Sequence, residues 1–289
     1  MLGPIESGIG LDVVVWLQAH GNVLFDLLAH VLDFAGGSMF ALIVGPVFYW
    51  LIDKRLGQHI LFLLLFGGLV MAITKEVAQT PRPYIAHPDQ VHPLFTEGGY
   101  GLPSGHVINA ITFWLPVVLW RKSRRAWWLF GGYVLLIMWS RMYAGVHYPQ
   151  DVLGGLLIGL AVGWVYLRAP VDEVVHSPVV QGIAVLQPLI LVPLMSHYQD
   201  GVTVSGVTCG LGIGLWLEQR VVDFTTTDDL RQRAIRYGVG IVAMMVVFVG
   251  LRLLFCSAEP EALFRVLRYA AVSVYALAIW PWAWQRAGV

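Results

Sequence analysis

Charge is scarce in this chain and has no excess of either sign. Only 12% of its 289 residues are charged, and 18 basic side chains face 18 acidic ones. With no net charge there is no electrostatic footprint for a nucleic acid. A composition that is 57% hydrophobic, with a mean hydropathy of +0.70, excludes an ordinary soluble domain. Cysteine is nearly absent. Cys209 and Cys256 each lie in or beside an apolar run, which reads as two buried thiols rather than a disulfide or a metal pair. The N-terminus carries neither the basic stretch nor the small-residue cleavage site of a signal peptide, so it is expected to be mature sequence. Repeats, low-complexity tracts and any linker to a second soluble domain are missing as well. What is left is an all-α polytopic membrane protein.

Residues 9–34 are apolar only in part, because Asp12, His20, Asp26, His30 and Asp33 recur through them and Gly21-Asn22 interrupts the middle. Two amphipathic helices lying at the membrane interface suit this pattern better than one spanning helix. From Gly37 onward apolar runs predict spans near 37–53, 57–79, 104–121, 126–144, 148–168, 178–197, 202–219, 233–255 and 262–284, nine in all. The expected organisation is an amphipathic segment 1–36, a core 37–170 and C-terminal transmembrane helices 171–289. Twelve of the eighteen Lys and Arg fall in short loops or at helix ends on one face: Lys54 and Arg55, the run Arg121 to Arg125, Arg168, the group Arg220 to Arg236, and Arg286. Such loops are retained in the cytoplasm. Glycines every fourth residue at 155, 159 and 163, and again at 206, 210 and 214, predict close helix packing.

The remaining polar groups concentrate in three clusters, all predicted on the opposite, non-cytoplasmic side. These are Lys75 to Arg82-Pro83, then Pro103-Ser104-Gly105-His106, then Ser140-Arg141 with His147 and Asp151. Ionisable groups at membrane helix ends mark function by default. Lys75, Arg82 and Arg141 are three cations suited to a dianion such as phosphate, for which arginine presents a planar fork of donors. Pro81 and Pro83 are expected to end the first helix and leave Arg82 on an extended tip. Ser104 and Gly105 fall at a helix start, where free N–H groups also favour an anion. His147 and Asp151 are four apart, so the carboxylate can fix the imidazole tautomer and leave the other nitrogen to attack. His106 is then available as general acid. A cationic site for lipid headgroups without chemistry is the competing reading of the same residues.

Together the clusters match, position for position, the pattern K-x6-R-P, P-S-G-H and S-R-x5-H-x3-D, and so resemble the type 2 phosphatidic acid phosphatase superfamily. The resemblance covers roughly residues 20–168. It implies a helical-bundle phosphatase core with four further C-terminal spans, and a phosphohistidine mechanism without a metal or other cofactor. His147 would be the nucleophile, Asp151 its orienter and His106 the proton donor, while Lys75, Arg82, Ser104, Gly105 and Arg141 hold the phosphate. It also implies an integral membrane enzyme whose partner is a phospholipid or isoprenoid phosphate: phosphatidate, a polyprenyl diphosphate or a sphingoid phosphate. The active site would face the periplasm, the extracellular side or an organelle lumen. The alternatives are a glucose-6-phosphatase-like sugar phosphate phosphatase and a catalytically idle binding or transport protein for anionic lipids. The 80–103 loop, with His87, His92, Glu97 and Tyr100, is expected to cover the site and select the headgroup. His87 and His92 lack a third partner for a metal. The C-terminal spans could serve as the surface of a homo-oligomer or as a wall for lipid access.

Overall fold

The computed structural model describes residues 8–195, 199–256 and 258–289, and every regular element among them is a helix. In chain order these are α1 (Ile9–Ala19), α2 (Val23–Gly36), α3 (Ser38–Pro46), α4 (Lys54–Ala78), α5 (Pro83–Ala86), α6 (Gly105–Arg121), α7 (Arg124–Tyr143) and α8 (Pro149–Arg168). There follow α9 (Val171–His176), α10 (Pro178–Leu186), α11 (Pro188–Met195), α12 (Gln199–Leu217), α13 (Leu230–Leu254), α14 (Glu261–Val274) and α15 (Trp280–Ala287). Val47–Ile52, Glu218–Val222 and Tyr275–Ile279 are wound as π-helix.

Local chemistry sets the helix ends. Asn22 caps α2, its side-chain oxygen accepting from the backbone N–H groups of Leu24 and Phe25 at 3.0 Å each. Gln79, at φ +47°, and Pro81 terminate α4, and Pro149 opens α8 in the first-turn position that tolerates proline. Lys122, at φ +48°, turns the chain between α6 and α7.

Packing divides the chain into two units. The first joins Met1–Ala41 to Phe66–Leu167 and holds all three motif clusters. In it α2 packs on α6 and α7, and α6 on α7. Leu32, Val107, Ala110, Ile111, Val134, Ile137, Met138 and Val152 form its main buried core. The glycines of α8 close this bundle. A Cβ on Gly155 would lie 2.7 Å from the Ser104 carbonyl oxygen, and one on Gly159 would lie 2.5 Å from Ile111 Cδ1, so α8 approaches α6 at backbone distance.

The second unit joins Leu42–Leu65 to Arg168–Val289. Here α12 packs along α14 and α10. Gly206 and Gly214 play the part seen in α8, with an added Cβ meeting Val266 Cα at 2.9 Å and Leu277 Cβ at 2.8 Å. Both four-residue glycine series are therefore packing seams. The two thiols are less buried than composition suggests: Cys209 is half-buried and Cys256, in the turn after α13, is exposed. They form no disulfide.

Against the nine spans expected, six helical stretches among the described residues are long and apolar enough to cross a membrane. The pair α1 and α2, bent by 119°, makes a seventh if it counts as one span. The difference has a local cause. Ser38–Ile52 is too short, α6 has 17 residues including His106, Asn109 and Arg121, and α7 carries Arg124, Arg125 and Arg141. The last residues of the expected span 178–197, and the first seven of the expected segment 1–36, lie outside the described residues.

The α6–α8 seam makes a stability test. Gly155→Ala is expected to lower unfolding free energy by about 1–3 kcal/mol through overpacking. Gly131→Ala in α7, where a Cβ meets no heavy atom within 4 Å, is expected to be neutral or to stabilise by about 0.4–1 kcal/mol. Thermal unfolding of the two variants in detergent separates them; equal midpoints would show that α8 does not seat on α6 through Gly155.

Candidate active site

The first unit brings the three clusters together through helix ends. Lys75 lies in the last turn of α4, and its Nζ donates to the Tyr100 carbonyl. Arg82 follows on extended backbone (φ −78°, ψ 155°) just before α5. Its Nε and Nη2 donate to the carbonyls of Gly99 (3.2 Å) and Gly98 (2.9 Å), and Nη1 to that of Val146 (3.1 Å). Ser104 occupies the N-cap position of α6, and its N–H donates to the Asp151 carbonyl at 2.9 Å. A Cβ on Gly105 would sit 2.7 Å from Met71 Sδ, so that side chain would have to shift to admit one. Arg141 closes α7, His147 lies in the link from α7 to α8, and Asp151 is in the first turn of α8.

His147 and Asp151 form a buried pair. Asp151 Oδ2 lies 3.3 Å from His147 Nδ1 and also accepts from the Tyr148 N–H at 2.9 Å. This contact places the ring proton on Nδ1 and the lone pair on Nε2, which is 3.2 Å from Arg82 Nη1. Burial, then the positive charges of Arg82, Lys75, Arg141 and His106, hold the His147 imidazole well below its ordinary range, so it is neutral.

One carboxylate sits at the centre. Glu97 Oε2 is 2.8 Å from Arg82 Nη1 and 3.7 Å from His147 Nε2, while Oε1 is 3.1 Å from Arg141 Nη1 and 3.4 Å from His106 Nδ1. Burial pushes the Glu97 carboxyl up, but the charges of His106, Arg141 and Arg82 outweigh it and leave the group ionised. Of the other loop residues, Tyr100 reaches the site through its carbonyl. His92 is exposed and held by its backbone to Gln18, and His87 closes α5 through its N–H to the Pro83 carbonyl.

Asp33, absent from the sequence-derived site, belongs to this cluster. Its Oδ1 accepts from Arg141 Nη1 at 2.7 Å and lies 3.2 Å from His106 Nε2. The signal was a polar stripe on α2. Asp26 accepts from the Tyr143 hydroxyl at 2.5 Å, His30 packs against Phe95 with the rings tilted by 54°, and Asp33 reaches Arg141, so the stripe faces α7 and the loop. Asp33, Glu97 and His106 bring donor atoms within 4.8 Å of one another, a spacing that also suits a metal ion. Arg141 Nη1 already bonds both carboxylates, so a guanidinium supplies the positive charge there. Arg141 has further capacity: its Nε and Nη2, and Ser104 Oγ, are buried with no hydrogen-bond partner.

Residues 57–174, which contain every one of the motif residues, match the family model of the PAP2 superfamily. The chain belongs to the PAP2 superfamily. Residues 202–289 of this PAP2 protein match a second model, PAP2 superfamily phosphatase, transmembrane extension, which makes it a multi-pass membrane protein. Among curated relatives it is similar to undecaprenyl-diphosphatase BcrC of Bacillus subtilis (strain 168), at 29% identity over 53% of this chain and 78% of that one. It is also similar to phosphatidylglycerophosphatase B of the same organism, at 32% over 40% of this chain and 58% of that one. The human sphingosine-1-phosphate phosphatase 2 is 25% identical over 63% of this chain, and the match spans about half, 49%, of the relative. The crystal structure of Aquifex aeolicus LpxE superposes with a TM-score of 0.50 at 26% identity, covering 57% of this chain and 99% of that one.

Two measurements check the electrostatics of the PAP2 site. In the ligand-free protein, His147 is expected to titrate below pH 6.5, because burial and then the charges of Arg82, Lys75, Arg141 and His106 oppose its proton. Histidine-labelled NMR, with His147 identified by its loss in His147→Ala, reads the midpoint; a value at or above 6.5 would contradict this balance. Asp33→Asn removes one of two carboxylates on a buried arginine, and is expected to destabilise the protein by about 1.5–3 kcal/mol in thermal unfolding. An unchanged midpoint would show that Glu97 alone neutralises Arg141.

Proposed function

We propose that this protein is a membrane phosphatase that hydrolyses a lipid phosphate or diphosphate through a phosphohistidine, without a metal, on the non-cytoplasmic face. The observation that carries the reading is convergence: Arg82, Arg141, His106 and His147 each direct a nitrogen at the same carboxylate, at 2.8–3.7 Å. Four groups that can reach one anion together can also reach one phosphoryl group. The unmet buried groups Ser104 Oγ and Arg141 Nε and Nη2 add donors that the three oxygens of a phosphoryl group would accept from.

In this reading the His147 Nε2 lone pair attacks phosphorus, and the bond from phosphorus to the leaving oxygen breaks. His106 donates a proton to that oxygen, releasing an alcohol, or a phosphate if the substrate is a diphosphate. Asp151 accepts from Nδ1–H, which keeps its proton, and balances the imidazolium charge that forms. Water then attacks the phosphohistidine, gives its proton to His106 and frees inorganic phosphate, which returns both histidines to their starting states. The cationic side chains supply the charge stabilisation that a metal would otherwise give.

Support for the non-cytoplasmic side comes from α6 and α7. Arg121, Lys122, Arg124 and Arg125 lie at the ends of these helices remote from Ser104 and Arg141. A 17-residue helix separates the two ends by about 25 Å. Basic residues in a short loop mark the cytoplasmic end. The relatives support a lipid substrate, since BcrC, phosphatidylglycerophosphatase B and the human sphingosine-1-phosphate phosphatase are each named for one. A sugar phosphate is the second reading, favoured by a match to glucose-6-phosphatase catalytic subunit 1 of Haplochromis nubilus at 25% identity over 54% of each chain.

Protein purified and assayed in EDTA is expected to release phosphate from phosphatidate, sphingosine 1-phosphate or undecaprenyl diphosphate, with glucose 6-phosphate as comparator. His147→Ala is expected to fall to background with no acid-labile phosphoprotein after rapid quench, and His106→Ala to lose about 10²–10⁴-fold in kcat. No release from any of these substrates, or full activity in His147→Ala, would reject the phosphatase reading or the nucleophile.

A further inference from the structure

Glu97 is ionised and central, yet the reaction above gives it no task. Its two oxygens contact Arg82, Arg141, His106 and His147, the same nitrogens that a phosphoryl group must occupy. The carboxylate and a substrate phosphate cannot hold those positions together. Substrate entry therefore requires Glu97 to leave.

The surroundings make that exchange a movement of one side chain. The backbone is pinned at Glu97 and just after it: the Glu97 carbonyl accepts from the Tyr84 hydroxyl at 2.6 Å, and Arg82 donates to the carbonyls of Gly98 and Gly99. Asp33 keeps its own contacts with Arg141 (2.7 Å) and His106 (3.2 Å). Those two cations thus retain a carboxylate partner when Glu97 swings away. Without Glu97 in place, Arg82 Nη1, Arg141 Nη1 and the two histidines would face one another with less anionic compensation, which is costly in a buried site.

We infer that Glu97 is an internal competitor for the phosphate site, holding the cations paired between turnovers, yielding to substrate and returning to displace inorganic phosphate. This rests on the phosphatase reading above for what binds, but its test does not require turnover. A site occupied by its own carboxylate binds every anion more weakly, in proportion to the fraction of time it stands open. Singly charged anions, which bind weakly to begin with, are then shut out at working concentrations. The product, inorganic phosphate, is released more readily.

The test is calorimetric titration of inorganic phosphate into the full-length protein in detergent, for wild type, Glu97→Gln and Glu97→Asp. Glu97→Gln keeps the shape and removes the charge, and is expected to bind phosphate about tenfold more tightly. Glu97→Asp, too short to reach both arginines, should fall between. In enzyme assays the inhibition constant for inorganic phosphate should drop in parallel. The ligand-free melting temperature of Glu97→Gln should fall while phosphate raises it by more than in wild type. A purely structural Glu97 would lower stability and phosphate affinity together, and a proton-transferring Glu97 would lower kcat with phosphate affinity unchanged; either result overturns the inference. Should Glu97→Gln not fold, tighter binding by Glu97→Asp supports the inference and equal or weaker binding overturns it. Phosphate release by wild type decides the phosphatase reading separately.

Discussion

Like charges buried side by side must be compensated nearby, and the first unit is arranged around that requirement. Arg82 and Arg141 are almost without solvent and both reach the Glu97 carboxylate. Uncompensated, each buried ion costs several kcal/mol. Compensation arrives from sequence-distant places: Asp33 on α2, Glu97 and two carbonyls from the loop, Val146 O from the link before α8, and Asp151 from α8 itself. The loop is therefore held by the charges it neutralises, and α2 is held to α7 by Asp33 and Asp26 as well as by apolar burial.

Packing decides how precisely those partners meet. The buried core takes residues from α2, α6, α7 and α8, the same four helices that carry Asp33, His106, Arg141 and Asp151. Gly155 and Gly159 let α8 lie against α6 at backbone distance, and that approach puts the Asp151 carbonyl on the Ser104 N–H. A side chain at either glycine would separate Asp151 from the N-terminus of α6. Small residues far from the chemistry thus fix the distance between two of its parts.

Much of this was legible in the sequence because chemistry and helix punctuation coincide. Proline at 81 and 149 and the glycine at 105 mark helix ends, so the spacing of Lys75, Arg82, Ser104, His147 and Asp151 translated directly into helix-end positions. Asp33 was not legible as a site residue. One carboxylate among Asp12, Asp26 and the neighbouring histidines reads as an amphipathic face, and only tertiary structure distinguishes a stripe facing water from one facing Arg141. Glu97 was legible as part of a covering loop, but its place at the centre depends on Tyr84 and Arg82 gripping the backbone at Glu97 and at the residue after it. The span count suffered from the same coincidence that revealed the site: the polar residues that give α6 and α7 their function reduce the apolarity by which a span is recognised.

Three buried arginines illustrate how a functional cation differs from a structural one. Arg236, in the second unit, spends Nε and Nη2 on the Val289 carbonyl and Nη1 on that of Thr225, and its guanidinium lies over the Trp284 ring. Arg82 is almost as fully committed, to three carbonyls and Glu97, so its first duty is to hold the loop. Arg141, the most buried of the three at 0% exposure, engages its carboxylate partners through Nη1 alone and leaves Nε and Nη2 without acceptors. Proteins rarely leave buried donors unmet, because each costs about 1–3 kcal/mol. In the proposed reading, the guanidinium that Asp33 and Phe95 hold keeps those two donors for the oxygens of a phosphoryl group.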